Sequence, residues 1–229
     1  MTLILTNDDG IDAPGLEALR QAMRHQDDGV TIVAPSQHLS GCAHQVTTDR
    51  PISVEKRSPT EYSVGGMPAD CTRLALSHLC PKVRWVISGI NAGGNMGVDL
   101  YLSGTVAAVR EAAFHGIPGI AISQYRHRPW EIDWEAATRW STAIIADLMD
   151  RDLEPYSFWN VNFPHREPGL PEPDVVFCES SIQPLPINYR IDGDDFHYVG
   201  DYQQRQRTPG TDVDVCFSGN IAVTKVRLG

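Results

Sequence analysis

The chain of 229 residues reads as an α/β protein with a Rossmann-like, doubly wound, mostly parallel sheet and a β-rich C-terminal extension used in oligomerisation. Three observations carry that reading. Leu3-Ile4-Leu5, Val30–Ala34 and Val83–Ile87 are short apolar runs without polar alternation, the pattern of strands covered on both faces. Segments with apolar residues at helical spacing separate them, as expected of strands joined by crossover helices. After Pro164 the alternation stops, and prolines from Pro168 to Pro209 break the chain into short pieces.

The first strand, at Leu3–Leu5, is bounded by Asn7, Asp8, Asp9 and Gly10. Leu16, Leu19 and Met23 then predict a helix from Leu16 to about Gln26, and Pro35 stops the second strand. Residues 45–64 alternate loosely and contain Pro51 and Pro59, which suits an exposed hairpin. Leu74, Leu76 and Leu79 place a helix over 69–79, ahead of the strand at Val83–Ile87 and a Gly-rich loop over 88–104. An Ala-rich helix from Thr105 to His115, a strand at Ile117–Ile122, an amphipathic helix from Trp134 to Met149 and a strand at Phe158–Phe163 complete the main unit. Residues 1–164 are thus expected to form the catalytic domain. Residues 165–229 form an extension, an oligomerisation arm that returns to the core through strands near 174–178, 196–199 and 221–228.

Composition excludes several classes. Lys and Arg number 19 against 29 Asp and Glu, a formal charge of −10, and only Lys56, Lys82 and Lys225 are lysines. Without a basic face the chain is not expected to bind nucleic acid or an anionic membrane. Ordinary hydrophobic (41%) and charged (21%) fractions fit a globular fold. Five scattered cysteines without a CxxC pair argue against a disulfide framework or a zinc–thiolate site and suit a reducing compartment. The N-terminus has no basic segment ahead of its apolar run, so the cytoplasm is the expected location.

In open α/β sheets ligands bind beyond the carboxyl ends of the strands, so chemistry belongs in the loops there. Three such loops are oxygen-rich: Asn7–Gly10, Pro35–Gly41 and Ser88–Asn95. None holds a Lys or Arg, and the adjacent carboxylates of Asp8 and Asp9 need a positive partner. A hard divalent cation, Mg²⁺ or Mn²⁺, meets that need with oxygen ligands. The plain alternative is a turn that caps the next helix. A fourth segment, Ser103-Gly104-Thr105, steps directly into a helix, whose N-terminus offers N–H groups to an anion; the alternative is that Ser103 or Thr105 only caps its own helix. His38 suits a proton relay and equally a solvated loop position, while His44, His78, His115 and His127 read as structural. No GxSxG elbow, P-loop or GxGxxG fingerprint is present.

The stretches LTNDDGIDAPG (5–15), APSQHLSG (34–41), GMPADC (66–71), VISGINAGGNMG (86–97), SGTVAAVREA (103–112), NVNFP (160–164) and TDVDVCFSGNIAVT (211–224) resemble, in order, the SurE family of stationary-phase survival proteins. That family consists of metal-dependent 5′/3′-nucleotidases. The resemblance implies one divalent cation per subunit on Asp8, Asp9, Ser40 and Asn91, and a phosphate held by Asn95, Ser103, Gly104 and Thr105. It implies a nucleoside monophosphate substrate, with short polyphosphate taken by some members, and a homodimer or homotetramer in which the C-terminal extension reaches over a neighbour. Leu102, Val98 and Lys225 depart from the family pattern without touching the implied metal ligands. The expected activity is phosphomonoester hydrolysis with Asp8 and Asp9 catalytic; the competing reading is a non-catalytic nucleotide-sensing module with the same metal site.

Overall fold

A computed structural model describes residues 1–26, 29–127, 130–167 and 169–229. Its framework is a nine-stranded sheet in the order β3-β4-β2-β1-β5-β6-β7-β11-β8. The first strands are β1 (Thr2–Thr6), β2 (Gly29–Pro35), β3 (Val54–Ser58), β4 (Glu61–Val64) and β5 (Val83–Asn91). They are followed by β6 (Gly119–Gln124), β7 (Ser157–Phe163), β8 (Val175–Phe177) and β11 (Ile221–Arg227). From β4 through β7 every neighbouring pair is parallel, whereas β3 and β11 run antiparallel to β4 and β7. A separate hairpin pairs β9 (Tyr189–Asp192) with β10 (Asp195–Tyr198).

The absence of polar alternation in the central strands has a direct cause, since both faces of the sheet are covered. Leu3, Leu5, Ile87 and Ile122 pack with Leu16 and Leu19 of α1 (Pro14–Ala22) and Ile145 and Leu148 of α4 (Trp134–Met149). Ile4, Val86 and Ala121 point the other way, against Cys71 of α2 (Pro68–Leu74) and Val106 and Val109 of α3 (Gly104–Phe114). Successive side chains of a strand face opposite ways, so each central strand feeds two cores. No described helix is long and apolar enough to cross a membrane.

Several boundaries differ from the sequence reading. The first helix ends at Ala22 rather than near Gln26, because Arg24 and His25 are exposed and bring no apolar surface to the sheet. Strand β5 continues to Asn91, past the expected loop start at 88, because Asn91 still pairs with Ser123 of β6 after a register shift. In the expected hairpin only β3 is solvated: Ser63 and Val64 of β4 are buried and the strand pairs with β2. In the extension, β8 and β11 join the central sheet, β9 and β10 are exposed along their whole length, and a six-residue helix α5 (Asp212–Phe217) appears that no periodicity announced.

Helix α3 carries the Ser-Gly-Thr step, and its own Glu111 ties its C-terminal half to neighbouring side chains. That carboxylate lies 2.9 Å from His44 Nε2, 3.2 Å from His115 Nε2 and 3.4 Å from Arg73 Nε. Burial raises its pKa, but the bonds from His44 and His115 and the charge of Arg73 outweigh burial and leave it below the ordinary 4.5. A depressed folded-state pKa stabilises above the unfolded value and loses that contribution as pH falls through the folded one. Glu111→Gln is therefore expected to cost about 1–3 kcal/mol in urea unfolding near neutrality. The difference from the native chain closes on acidification below 4.5.

Candidate active site

The chain leaves β1 for β2 on one side and later places β5 on the other, so the strand order reverses around β1. Such a reversal opens a crevice at the carboxyl ends of the flanking strands. Asp8 and Asp9 stand at its mouth. The turn that carries them is closed by Asn7 Nδ2 donating to the Gly10 carbonyl at 2.7 Å, with Gly10 at φ +106°. Asn7 Oδ1 is buried and has no hydrogen-bond partner among the described residues.

Asp8 is 3% exposed. Its Oδ1 accepts the Thr105 hydroxyl at 2.5 Å, and the Thr105 backbone N–H also donates to it. The positive end of α3 is thus applied to a carboxylate. This close approach needs a glycine: a Cβ on Gly104 would lie 2.8 Å from Asp8 Cβ, 2.9 Å from its Oδ2 and 2.7 Å from Cys42 Sγ. Burial pushes the Asp8 pKa up to about 6; the Thr105 bonds pull it down and the charge of Asp9 adds to the rise. Burial, then Asp8, likewise pushes the Cys42 thiol up to about 11, which makes it a poor nucleophile. Asp9 is more open. Its Oδ2 accepts the Ala92 N–H at 3.1 Å, and its Oδ1 lies 3.1 Å from His38 Nδ1.

The remaining expected residues divide into two groups. Ser40 is exposed on the turn after β2, and Asn91 ends β5 with its Nδ2 donated to the Gly93 carbonyl at 2.7 Å, an arrangement that commits the amide nitrogen rather than the side-chain oxygen. Ser103 caps α3, its Oγ accepting the Val106 N–H at 3.1 Å, and keeps a hydroxyl proton to donate. These three border the crevice without a hydrogen bond to the carboxylate pair among the described residues. Asn95 is engaged elsewhere: its Nδ2 donates to Ser123 Oγ at 2.8 Å, and its carbonyl accepts from Asn160 and Asn162 at 2.9 and 3.0 Å. Thr105 spends its hydroxyl on Asp8. No group of three His, Cys, Asp or Glu suited to a metal occurs among the described residues, so a cation here must complete its shell with amide, hydroxyl or water oxygens.

A family model described as Survival protein SurE matches residues 3–181. The chain belongs to the SurE family. A protein of Nostoc sp., provisionally named a 5′-nucleotidase, is 58% identical over 100% of both chains. The 5′-nucleotidase SurE of Allorhizobium ampelinum is 38% identical, with 100% of this chain and 92% of that one covered. The crystal structure of the SurE protein from Aquifex aeolicus aligns with a TM-score of 0.87 at 29% identity, over 100% of this chain and 94% of that one.

Beyond the stretch that matches the SurE model lies a feature invisible in the local sequence: the extension clamps the loop between Asn91 and Ser103. Arg205 has a fully buried side chain, donates Nη1 to Asp99 Oδ2 at 2.7 Å and packs 4.9 Å over the Tyr202 ring. Tyr202 donates its hydroxyl to the same carboxylate oxygen at 2.6 Å. Burial works against the charge of Arg205, but Asp99 outweighs it and the guanidinium pKa is raised. Asp212 closes the other side, its Oδ2 accepting the Gly97 N–H at 2.7 Å and its Oδ1 the Ser181 N–H at 2.8 Å. These partners are over 100 residues apart in most cases, and no motif spacing connects them. Removing one member of a buried ion pair strands the other, so Arg205→Met is expected to cost about 3–5 kcal/mol. The Asp99→Asn, Arg205→Met double variant should cost less than the sum of the singles in a urea-unfolding cycle.

Proposed function

We propose that this SurE-family chain is a divalent-metal-dependent phosphomonoesterase that hydrolyses nucleoside monophosphates to nucleoside and phosphate. The supporting observation is a pair of adjacent carboxylates at the strand-order reversal, one of them buried with a pKa of about 6, with no Lys or Arg paired to either among the described residues. Two neighbouring negative charges, one out of water, are costly unless a cation neutralises them. The donor set is all oxygen, which fits a hard ion such as Mg²⁺ or Mn²⁺, and the unpartnered Asn7 Oδ1 beside the pair adds to the local excess of acceptors. Asp8, Asp9, Ser40 and Asn91 would hold the ion. When bound, it supplies charge neutralisation at the phosphoryl oxygens and a lowered pKa for the attacking water.

The chain's own groups do the rest. Thr105 fixes Asp8 through its hydroxyl and N–H, so the buried carboxylate cannot rotate away. Ala92 fixes Asp9, which accepts the proton of the water, and the exposed His38 at 3.1 Å passes it to solvent. The Ser103 hydroxyl and the Gly104 N–H at the start of α3 face the phosphate, where the helix end favours an anion. Short polyphosphate presents the same terminal phosphoryl group and is a second substrate of the same site. The exposed apolar side chains of Tyr189, Ile191, Phe196 and Tyr198 on the β9–β10 hairpin support a homodimer or homotetramer joined through that arm.

Phosphate release from AMP is the deciding assay. It should need Mg²⁺ or Mn²⁺, stop with EDTA and return on adding the metal back. Asp9→Asn should lower kcat by about 10²–10⁴-fold with circular dichroism unchanged. Full turnover by that variant overturns the mechanism, and metal-dependent AMP binding without phosphate release in the unsubstituted protein identifies a sensing module instead. Gly104→Ala, whose methyl group would displace Asp8, should cost about 100-fold in kcat/KM.

A further inference from the structure

Strand β7 carries two asparagines, Asn160 and Asn162, among Phe158, Trp159, Val161 and Phe163, and both are fully buried. Side chains alternate along a strand, and Phe158 belongs to the core that α3 covers, so Asn160 and Asn162 face that side too. A buried amide is costly unless its hydrogen bonds are made. These two direct theirs to one residue of the loop after β5, Asn95.

Asn162 Oδ1 accepts the Asn95 N–H at 2.8 Å, while Asn162 Nδ2 and Asn160 Nδ2 donate to the Asn95 carbonyl at 3.0 and 2.9 Å. One side-chain amide thus does for Asn95 what a neighbouring strand would do, donating and accepting across a single residue. The Asn95 side chain turns to Ser123, its Nδ2 donating to Oγ at 2.8 Å, and Ser123 is the buried register partner of Asn162 on β6. Ser123 is also the partner of Asn91 at the end of β5. Both ends of the segment 91–95 are therefore tied to the same place on β6. Between them stand Ala92, Gly93 and Gly94, with no side chain larger than a methyl to pack and hold a course. Yet this segment carries the Ala92 N–H that meets Asp9 Oδ2 at 3.1 Å, and Asn91 itself, whose Nδ2 is donated to the Gly93 carbonyl at 2.7 Å. Beyond Asn95 the loop has separate anchors, Asp212 on Gly97 and Arg205 on Asp99.

We propose that Asn160, Asn162 and Ser123 are positioning residues: by cradling Asn95 they fix the segment 91–95, and through it the Ala92 N–H on Asp9 and Asn91 at the crevice. They act from β6 and β7, through Asn95 and without a hydrogen bond to either carboxylate among the described residues. Groups that orient ligand-bearing residues from behind are worth about 10–100-fold in metal affinity or rate. The effect on metal binding and turnover rests on the nucleotidase reading of the site; the effect on Ala92 does not.

The test uses two variants and a control. Asn162→Leu removes both bonds of that amide at similar volume, and Ser123→Ala removes one bond with little change in packing. Thr224→Val is the control: Thr224 Oγ1 donates from β11 to the Asn160 carbonyl at 3.2 Å, so its loss costs β7 a buried hydrogen bond without touching Asn95. Hydrogen–deuterium exchange of the Ala92 amide should quicken by about tenfold in Asn162→Leu and about fivefold in Ser123→Ala, and stay unchanged in Thr224→Val. Mn²⁺ affinity, titrated calorimetrically without substrate, should fall by about the same factors. At saturating Mn²⁺, kcat for AMP should fall while KM stays within about twofold, because α3 carries Ser103 and Gly104 separately from this segment. Ala92 exchange within about twofold of the unsubstituted protein in both variants overturns the proposal, as does equal acceleration in Thr224→Val, the mark of general loosening. In a protein that binds Mn²⁺, affinity and kcat both held within about twofold overturn it as well. If Asn162→Leu does not fold, Ser123→Ala decides alone. If the unsubstituted protein neither binds Mn²⁺ nor releases phosphate, the nucleotidase reading fails, and the Ala92 exchange result by itself upholds or overturns the cradle.

Discussion

The bond between Thr105 and Asp8 ties the rest of the site together. It joins the end of the first strand to the start of α3 across almost half the chain, and it brings a helix N-terminus to a carboxylate that burial has stripped of water. A helix end and one hydroxyl offset only part of that cost, as the raised pKa of Asp8 records. The remaining negative charge, doubled by Asp9, is what gives this crevice its affinity for a cation in the function proposed above. The glycine at 104 is the steric condition for the whole arrangement.

A second constraint acts from the far end of the chain. The loop between Asn91 and Ser103 links the end of β5 to the capping serine of α3, so its course decides whether the two halves of the crevice face each other. Its conformation is not left to glycine-rich sequence alone. Asp99 is gripped by Arg205 and Tyr202, and Gly97 by Asp212, all from the extension after β7. The extension thereby has two parts with different duties: β8, α5 and β11 are built into the core and the loop, while the β9–β10 hairpin stands free of it.

The central strands and both long helices were legible because their pattern is a direct consequence of burial: a strand between two layers must be apolar throughout, α4 shows the periodicity of one buried face, and α3, buried on nearly all sides, is an Ala-rich run. The carboxylate pair was legible because two adjacent acids at a strand end are conspicuous without a basic partner. Two short elements were not legible, α5 with six residues and β9 with four, which hold too few repeats of their period to stand out, although the equally short β8 and β10 overlap expected strands. Ser103 fulfilled its plain role as a cap. Thr105 and Asn95 turned to protein partners, Asp8 and Ser123, that no local spacing reveals.

The sequence by itself therefore determined that the chain is α/β, that polar loops follow β1, β2 and β5, and that the first of them is acidic and oxygen-rich. These follow from nearest-neighbour physics, from hydrophobic period, turn chemistry and like charges side by side. Tertiary structure alone decided which side chains meet: that His38 faces Asp9, that Thr105 of α3 donates to Asp8, and that Arg205 reaches Asp99 to hold the loop before α3. Such contacts join residues dozens to more than a hundred positions apart, and only the closing of the sheet brings them within hydrogen-bonding distance.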